Sequence, residues 1–187
     1  APYHTSILSL GSDQVTSDLS IMLKTPIDSA GRIKQDAGCC YVDLIEDDTT
    51  VQIPRVGGRP PDRIQKSKIS EIIQPRMEEI FRLVRDRVNE EQLLKRCGGG
   101  VVIVGGGALM PGIIELATDI FELPVRIGYP KGAGGLIEEY SDPQYATAVG
   151  LVLSAAGKTE GAATRRERKE RGQGIFGKLK DWIGEFF

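Results

Sequence analysis

A chain of 187 residues, 40% hydrophobic and 27% charged, has ordinary globular composition and is long enough for one domain or two small lobes. Its formal net charge of −2 argues against an overall nucleic-acid binder, because basicity is local to the C-terminal tail. Three cysteines, two of them adjacent at Cys39 and Cys40, cannot build a disulfide framework and point to a reducing compartment; with the single His4 they offer no metal-binding set. No signal peptide or long apolar run is visible, and the first residue is Ala, not Met, as suits a fragment.

In chain order, residues 3–10, YHTSILSL, alternate in polarity and predict a strand that Gly11 breaks. SDQVTSDLSIML then predicts a helix capped by Ser12 or Asp13. After Pro26 a second helix, IDSAGRIKQDA, ends at Gly38, and short strands are expected at YVDLI and TVQIP. The longest helical run is Lys68 to Lys95. In it Ile69, Ile72, Ile73, Met77, Ile80, Phe81, Val84 and Val88 keep the helical period of a core-facing stripe, and Pro75 predicts a kink. Val101 to Val104 reads as a short buried strand, Gly105 to Gly107 as a turn, Pro111 to Phe121 as a helix opened by proline, and Val125 to Ile127 as a second strand. That unit implies α/β architecture. DPQYATAVGLVLSAAG predicts a further helix entered at Asp142-Pro143, with Ala146, Ala148 and Gly150 allowing close packing.

The tail has two parts. KTEGAATRRERKERGQ, from Lys158 to Gln173, holds no large apolar residue and predicts a flexible tether. In GIFGKLKDWIGEFF, Ile175, Phe176, Leu179, Trp182, Ile183 and Phe186 recur at steps of three and four, with Phe187 closing the chain and Lys178 and Lys180 on the other side. Such a helix is too short to span a bilayer, which takes about 20 apolar residues, and suits the membrane interface. Seven basic and two acidic residues between Arg165 and Lys180 favour an anionic lipid surface. Burial of six large apolar side chains is worth at most roughly 9 to 18 kcal/mol, and partial burial plus the ordering of the helix offsets much of it. One tail therefore binds reversibly, and several on one assembly bind tightly. The alternative is a last helix folded back onto the core.

No catalytic constellation stands out. His4 has no nucleophile pattern beside it and reads as a structural histidine, while Glu78, Glu79, Asp86, Glu90 and Glu91 read as a solvated acidic face. The glycines between strand and helix at Gly105, Gly106 and Gly107 would let a ligand approach the backbone, or else form a structural tight turn. The pattern is neither GxxxxGKS nor GxGxxG, so the P-loop and dinucleotide fingerprints do not apply.

VVIVGGGALMPGIIELATDIFELPVRIGYP, then DPQYATAVGLVL, then a charged linker and GIFGKLKDWIGEFF, resemble the C-terminal half of FtsA, a family of bacterial actin-like cell-division proteins. HTSILSLGSDQVTSDLSIMLKTP is similar to the family's HTxxLPIGGDxVTxDIA stretch, and IIQPRMEEIFRLVRDRV to its long helix. The resemblance covers essentially the whole chain, and the four motifs in this order are specific. The GGG segment alone would not separate FtsA from MreB, Hsp70-type proteins or PilM; the terminal helix favours FtsA.

The resemblance implies the second half of an actin-like (ribonuclease H-like) α/β fold. Its core subdomain would comprise about residues 1–23 and 98–156, an inserted outer subdomain 24–97, a flexible linker 157–173, and a membrane-targeting helix 174–187. In the full-length family ATP, with Mg2+, would sit between the two halves. Gly105, Gly106 and Gly107 match the adenosine motif, and Lys34 falls in the AExIK-like segment beside the nucleoside. The chain departs at Gly31, where the family carries an acidic residue expected at the ribose, and at Ser12, which replaces a glycine of GGD. Nothing in it resembles the DxGxxxT phosphate hairpins, so the chain alone is expected to bind ATP poorly and not to act as an enzyme on it.

The implied function is a membrane tether for FtsZ. The outer subdomain would receive the C-terminal peptide of FtsZ, for which the exposed positions Arg76, Arg82 and Arg85 of the long helix are candidates, because an acidic peptide needs cations. The bodies would self-associate into actin-like filaments, and the terminal helix would hold them to anionic lipids on the cytoplasmic face of the membrane at the division site. Two rival readings are an actin/Hsp70-superfamily ATPase whose terminal helix packs on the core and a PilM-like platform protein.

Overall fold

Helix α1, Ser12–Leu23, opens the ordered body of the computed structural model, which describes residues 3–90, 92–132 and 138–156. The expectations for the linker and the terminal helix lie outside those residues. Val15, Leu19 and Leu23, spaced four apart, are buried along one side of α1. The cap is Gly11, not Ser12 or Asp13: the Gln14 side-chain oxygen accepts the Gly11 N–H at 2.7 Å. Helix α2, Ile27–Ala37, follows Pro26, carries Asp28 in its first turn where the helix dipole favours a negative charge, and buries Ala30 and Ile33.

The segment YVDLI is not a strand. Val42–Leu44 forms a 3-10 turn, because the Val42 N–H donates to Gln74 Oε1 at 2.8 Å and Leu44 and Ile45 bond back to Tyr41 and Val42. Beyond it β1, Thr50–Ile53, pairs antiparallel with β2, Asp62–Gln65, in the register Thr50 with Gln65 and Ile53 with Asp62. Helix α3, Lys66–Glu90, begins two residues earlier and ends five earlier than its periodicity suggests, with a separate 3-10 turn at Leu94–Arg96. It runs on through Pro75, which sits on the exposed side of the helix.

Strand β3, Val101–Ile103, pairs in parallel with β4, Val125–Ile127, and helix α4, Ile113–Phe121, connects them. Val102 is 45% exposed, so β3 is open on one side and not the buried strand its apolar run predicts. After a 3-10 turn at Pro143–Tyr145 comes α5, residues 146–156. Residues 3–10 are not a strand either. Ile7 is 87% exposed, and no neighbouring strand among the described residues offers the ladder that alternation alone cannot supply.

One apolar cluster unites these elements. Leu19 of α1, Ile33 of α2, Ile53 of β1, Ile69 and Ile73 of α3, and Leu116 and Ile120 of α4 all belong to it. Phe81 and Phe121 meet across the α3–α4 contact with ring centroids 5.9 Å apart.

Candidate functional site

The N-terminus of α1, the side of α2 carrying Lys34, and the glycine turn after β3 converge on a cleft of about 490 Å3. Ser12, Asp13, Lys34, Gln35, Gly106, Gly107, Leu109, Met110, Pro111 and Gln144 line it. Lys34 is thereby brought together with two of the three glycines, more than 70 positions away in sequence. Gly105 shapes the turn without lining the cleft. Its φ of 95° lies where side chains are strained, its N–H donates to Pro143 O at 2.9 Å, and its carbonyl accepts from Ala108 N–H at 3.1 Å.

Gly107 and Gly106 differ in what they permit. A Cβ at Gly107 would lie 3.3 Å from the Ser12 Cβ, a tight contact that Ser12 would have to relax to admit. A Cβ at Gly106 would meet no protein atom within 4 Å and would project into space that a ligand could occupy. Gly31 is not part of the lining: a Cβ there would touch Thr16 Cγ2 at 3.8 Å, so position 31 is turned toward α1.

Lys34 Nζ donates to the Ser12 carbonyl at 2.9 Å. Burial pulls its pKa below the ordinary lysine value, and the Asp13 carboxylate opposes that shift. The cleft therefore has one cation, one carboxylate, two amides in Gln35 and Gln144, and an apolar wall of Leu109, Met110 and Pro111. That set suits a flat, uncharged group with hydrogen-bonding edges, such as a nucleoside, better than a polyanion, for which a single lysine is meagre. These residues fit the adenosine end of a nucleotide. Among the described residues, no cluster of His, Cys, Asp or Glu could hold a metal ion.

The three arginines of α3 do not share one surface. Arg76 is half-buried instead of exposed: its Nε donates to Asp18 Oδ2 at 2.5 Å, an Nη donates to Asp18 Oδ1 at 3.1 Å, and the other Nη pairs with Glu79. The Asp18 bonds, followed by the Asp18 charge, push its pKa up. Arg82 and Arg85 instead line a hollow of about 300 Å3 between α3 and α4 with Tyr41, Gln74, Glu78 and Asp119. Arg85 donates to the Ile120 carbonyl at 3.1 Å, which places a cation at the negative end of α4. Arg82 pairs with Glu78 at 3.2 Å and is the most exposed of the three. The predicted membrane residues Ile175, Phe176, Lys178, Leu179, Lys180, Trp182, Ile183, Phe186 and Phe187 lie outside the described residues. Within the described residues no helix is long and apolar enough to cross a membrane.

Sequence reasoning missed Asp13, Gln35 and Gln144 as cleft residues. The α1 terminus was a legible signal for Asp13, whereas Gln144 reaches the cleft only through the packing of its 3-10 turn on the glycine turn.

The family model described as "Cell division protein FtsA" matches residues 1–150. The chain is 36% identical to cell division protein FtsA of Borreliella burgdorferi, over 98% of this chain and 45% of that protein, and 36% identical to its counterpart in Neisseria meningitidis, over 98% and 46%. The Escherichia coli K12 protein of the same name is 35% identical over 80% of this chain and 37% of its own length. The chain thus spans less than half the length of these relatives. Among solved structures, MreB5 of Spiroplasma citri superposes with a TM-score of 0.65 when bound to AMPPNP and 0.62 when bound to ADP, at 17% and 16% identity. These cover 84% and 83% of this chain and 47% of each MreB chain. The likeness shows an actin-like fold.

Proposed function

Because the chain belongs to the FtsA family of cell division proteins, we propose that it is the second half of an actin-like adaptor that tethers FtsZ filaments to the cytoplasmic membrane at the division site. The observation that carries this reading is the family match over residues 1–150, and the cleft in which Lys34, Gly106 and Gly107 meet supports its nucleotide part. In the longer protein it would hold the adenosine of ATP, with the phosphates and their Mg2+ served by residues outside this chain. The core subdomain is assigned to 1–23 and 98–156, the FtsZ-receiving subdomain to 24–97, the linker to 157–173 and the anchor to 174–187. Of the arginines proposed for the acidic FtsZ peptide, Arg82 is the readiest, since Arg76 must first give up Asp18 and Arg85 the end of α4. Filaments formed by self-association would multiply weak anchors into firm attachment to anionic lipids.

Two measurements test the reading. Titration with adenosine, followed by amide chemical shifts, should move Gly106 and Gly107 in the wild type and not in Lys34→Ala; unmoved glycines at saturating adenosine would remove the cleft from the proposal. Co-sedimentation should show pelleting with anionic but not neutral vesicles, abolished by Trp182→Glu/Phe186→Glu. Failure of the wild type to pellet with either would overturn the anchor.

A further inference from the structure

The β1–β2 hairpin separates two patches of opposite charge. At its Ile53–Asp62 end, Lys24, Arg55, Val56, Arg59, Pro60 and Asp62 line a hollow of about 400 Å3. The Val56 N–H bonds to the Lys24 carbonyl at 3.3 Å, which brings the α1–α2 turn against the hairpin loop. Arg55 is spent on Asp62 and on the Leu23 carbonyl, whereas Lys24 and Arg59 form no ion pair among the described residues. The lining also holds Val56, an aliphatic side chain 51% exposed, and Pro60. Asp28, in the first turn of α2, is the other nearby acid.

At the opposite, Thr50–Gln65 end lies the loop DLIEDD, residues 43–48. It is held in shape by the Ile45 N–H on the Val42 carbonyl, the Thr49 N–H on the Asp47 carbonyl, and the two bonds that Ser67 donates to Asp48. Asp43, Glu46 and Asp47 remain exposed, with no ion pair among the described residues, and Leu44, between them in sequence, is 46% exposed. Asp36 adds a further acid to the hollow beside this loop, and Lys66 is its only cation among the lining residues.

A cationic hollow that includes Val56 and Pro60, and an ordered acidic loop that carries the exposed Leu44, are set apart by a strand only about 10 Å long and are complementary in charge and chemistry. We propose that the acidic loop 43–48 of one copy docks into the Lys24–Arg59 hollow of the next, with Leu44 meeting the Val56 and Pro60 side chains. The contact joins two different patches, so it is heterologous and can repeat from copy to copy, as a ring or an open row according to the rotation between neighbours. It is small and largely charged, so a single contact is weak and salt-dependent. The inference rests on the self-association reading and supplies a surface for it.

Charge reversal at each end tests the proposal, with sedimentation velocity of the full chain at low and high salt as the readout. Wild type is expected to self-associate at low salt. Lys24→Glu/Arg59→Glu and Glu46→Lys/Asp47→Lys should each weaken association by at least about tenfold, given the cost of like charges in contact. Mixing the two variants should restore association, because each then presents the patch the other needs, an outcome that misfolded variants cannot produce. Two variants that associate like wild type, or a mixture that fails to recover, would overturn the proposed surfaces while leaving self-association standing. A wild type that stays monomeric at low salt would instead sink the self-association reading for this chain, and this contact with it.

Discussion

The surroundings of α3 and those of β3 are both rich in aliphatic residues, yet the two regions dispose of them in opposite ways. Ile69 and Ile73 of α3 are fully buried among α1, α2, β1 and α4, whereas Val102 of β3 and Val104 just after it, together with Leu151 and Val152 of α5, face water. An aliphatic side chain stabilises a fold only as far as neighbours remove it from water. Helices that pack on several sides accomplish this within the chain, and a two-stranded parallel sheet does not. The candidate cleft lies along the seam: one wall is the packed α1–α2 pair, and the other is the glycine turn that leaves the open strand. Cys40 and Tyr41 hold the seam against Pro111 and Gly112. The Cys40 N–H bonds the Pro111 carbonyl at 2.9 Å, and a Cβ at Gly112 would lie 2.7 Å from the Tyr41 Cβ.

The contrast is broken most directly by truncating one aliphatic side chain on each side. Ile73→Ala should cost about 3 to 4 kcal/mol of unfolding free energy in urea, whereas Val102→Ala should cost under about 1 kcal/mol because little burial is lost. Equal losses would show that β3 is covered in solution. At the seam, Gly112→Ala should cost about 2 to 3 kcal/mol, combining a φ of 79° with the collision against Tyr41. Its thermal midpoint, compared with that of Gly106→Ala, should separate a glycine required by packing from one facing open space.

A smaller, pH-dependent effect reports on the same seam. Burial, and then the neighbouring Cys39, push the Cys40 thiol from an ordinary 9.0 to about 12. Between those values the unfolded chain has shed a proton that the folded chain keeps, so stability should fall as pH rises from about 9 toward 12. The slope should be at most about 1.4 kcal/mol per pH unit. Cys40→Ala should flatten this alkaline limb, and an unchanged slope would mean that Cys40 is solvated.

Much of the architecture was legible before folding. The α1 and α2 bounds follow from the spacing of Val15, Leu19 and Leu23 and from the breaks at Gly11, Pro26 and Gly38, because a 3.6-residue period and helix-ending residues are local properties. The β3–turn–α4–β4 unit was readable for the same reason, except that α4 opens at Ile113 with Gly112 as its cap and not at Pro111. Strand β2 was not: DRIQ is polar and mostly exposed, and only its pairing with β1 makes it a strand. YVDLI carried a strand pattern, and Gln74 of α3, remote in sequence, captured the Val42 N–H and turned the segment into a 3-10 turn.

The candidate site divides along the same line. Gly106, Gly107 and Lys34 were recognisable by residue type and local pattern, and family membership is written in motifs that run along the chain. Only the tertiary structure decided that Lys34 and the glycines share a cleft with Gln144, that Arg76 is committed to Asp18, and that Arg85 serves the end of α4. Propensity and periodicity act over a few residues, whereas the partner of a lysine or an arginine is set by which helices pack together. That choice is made by the burial of side chains far apart in sequence.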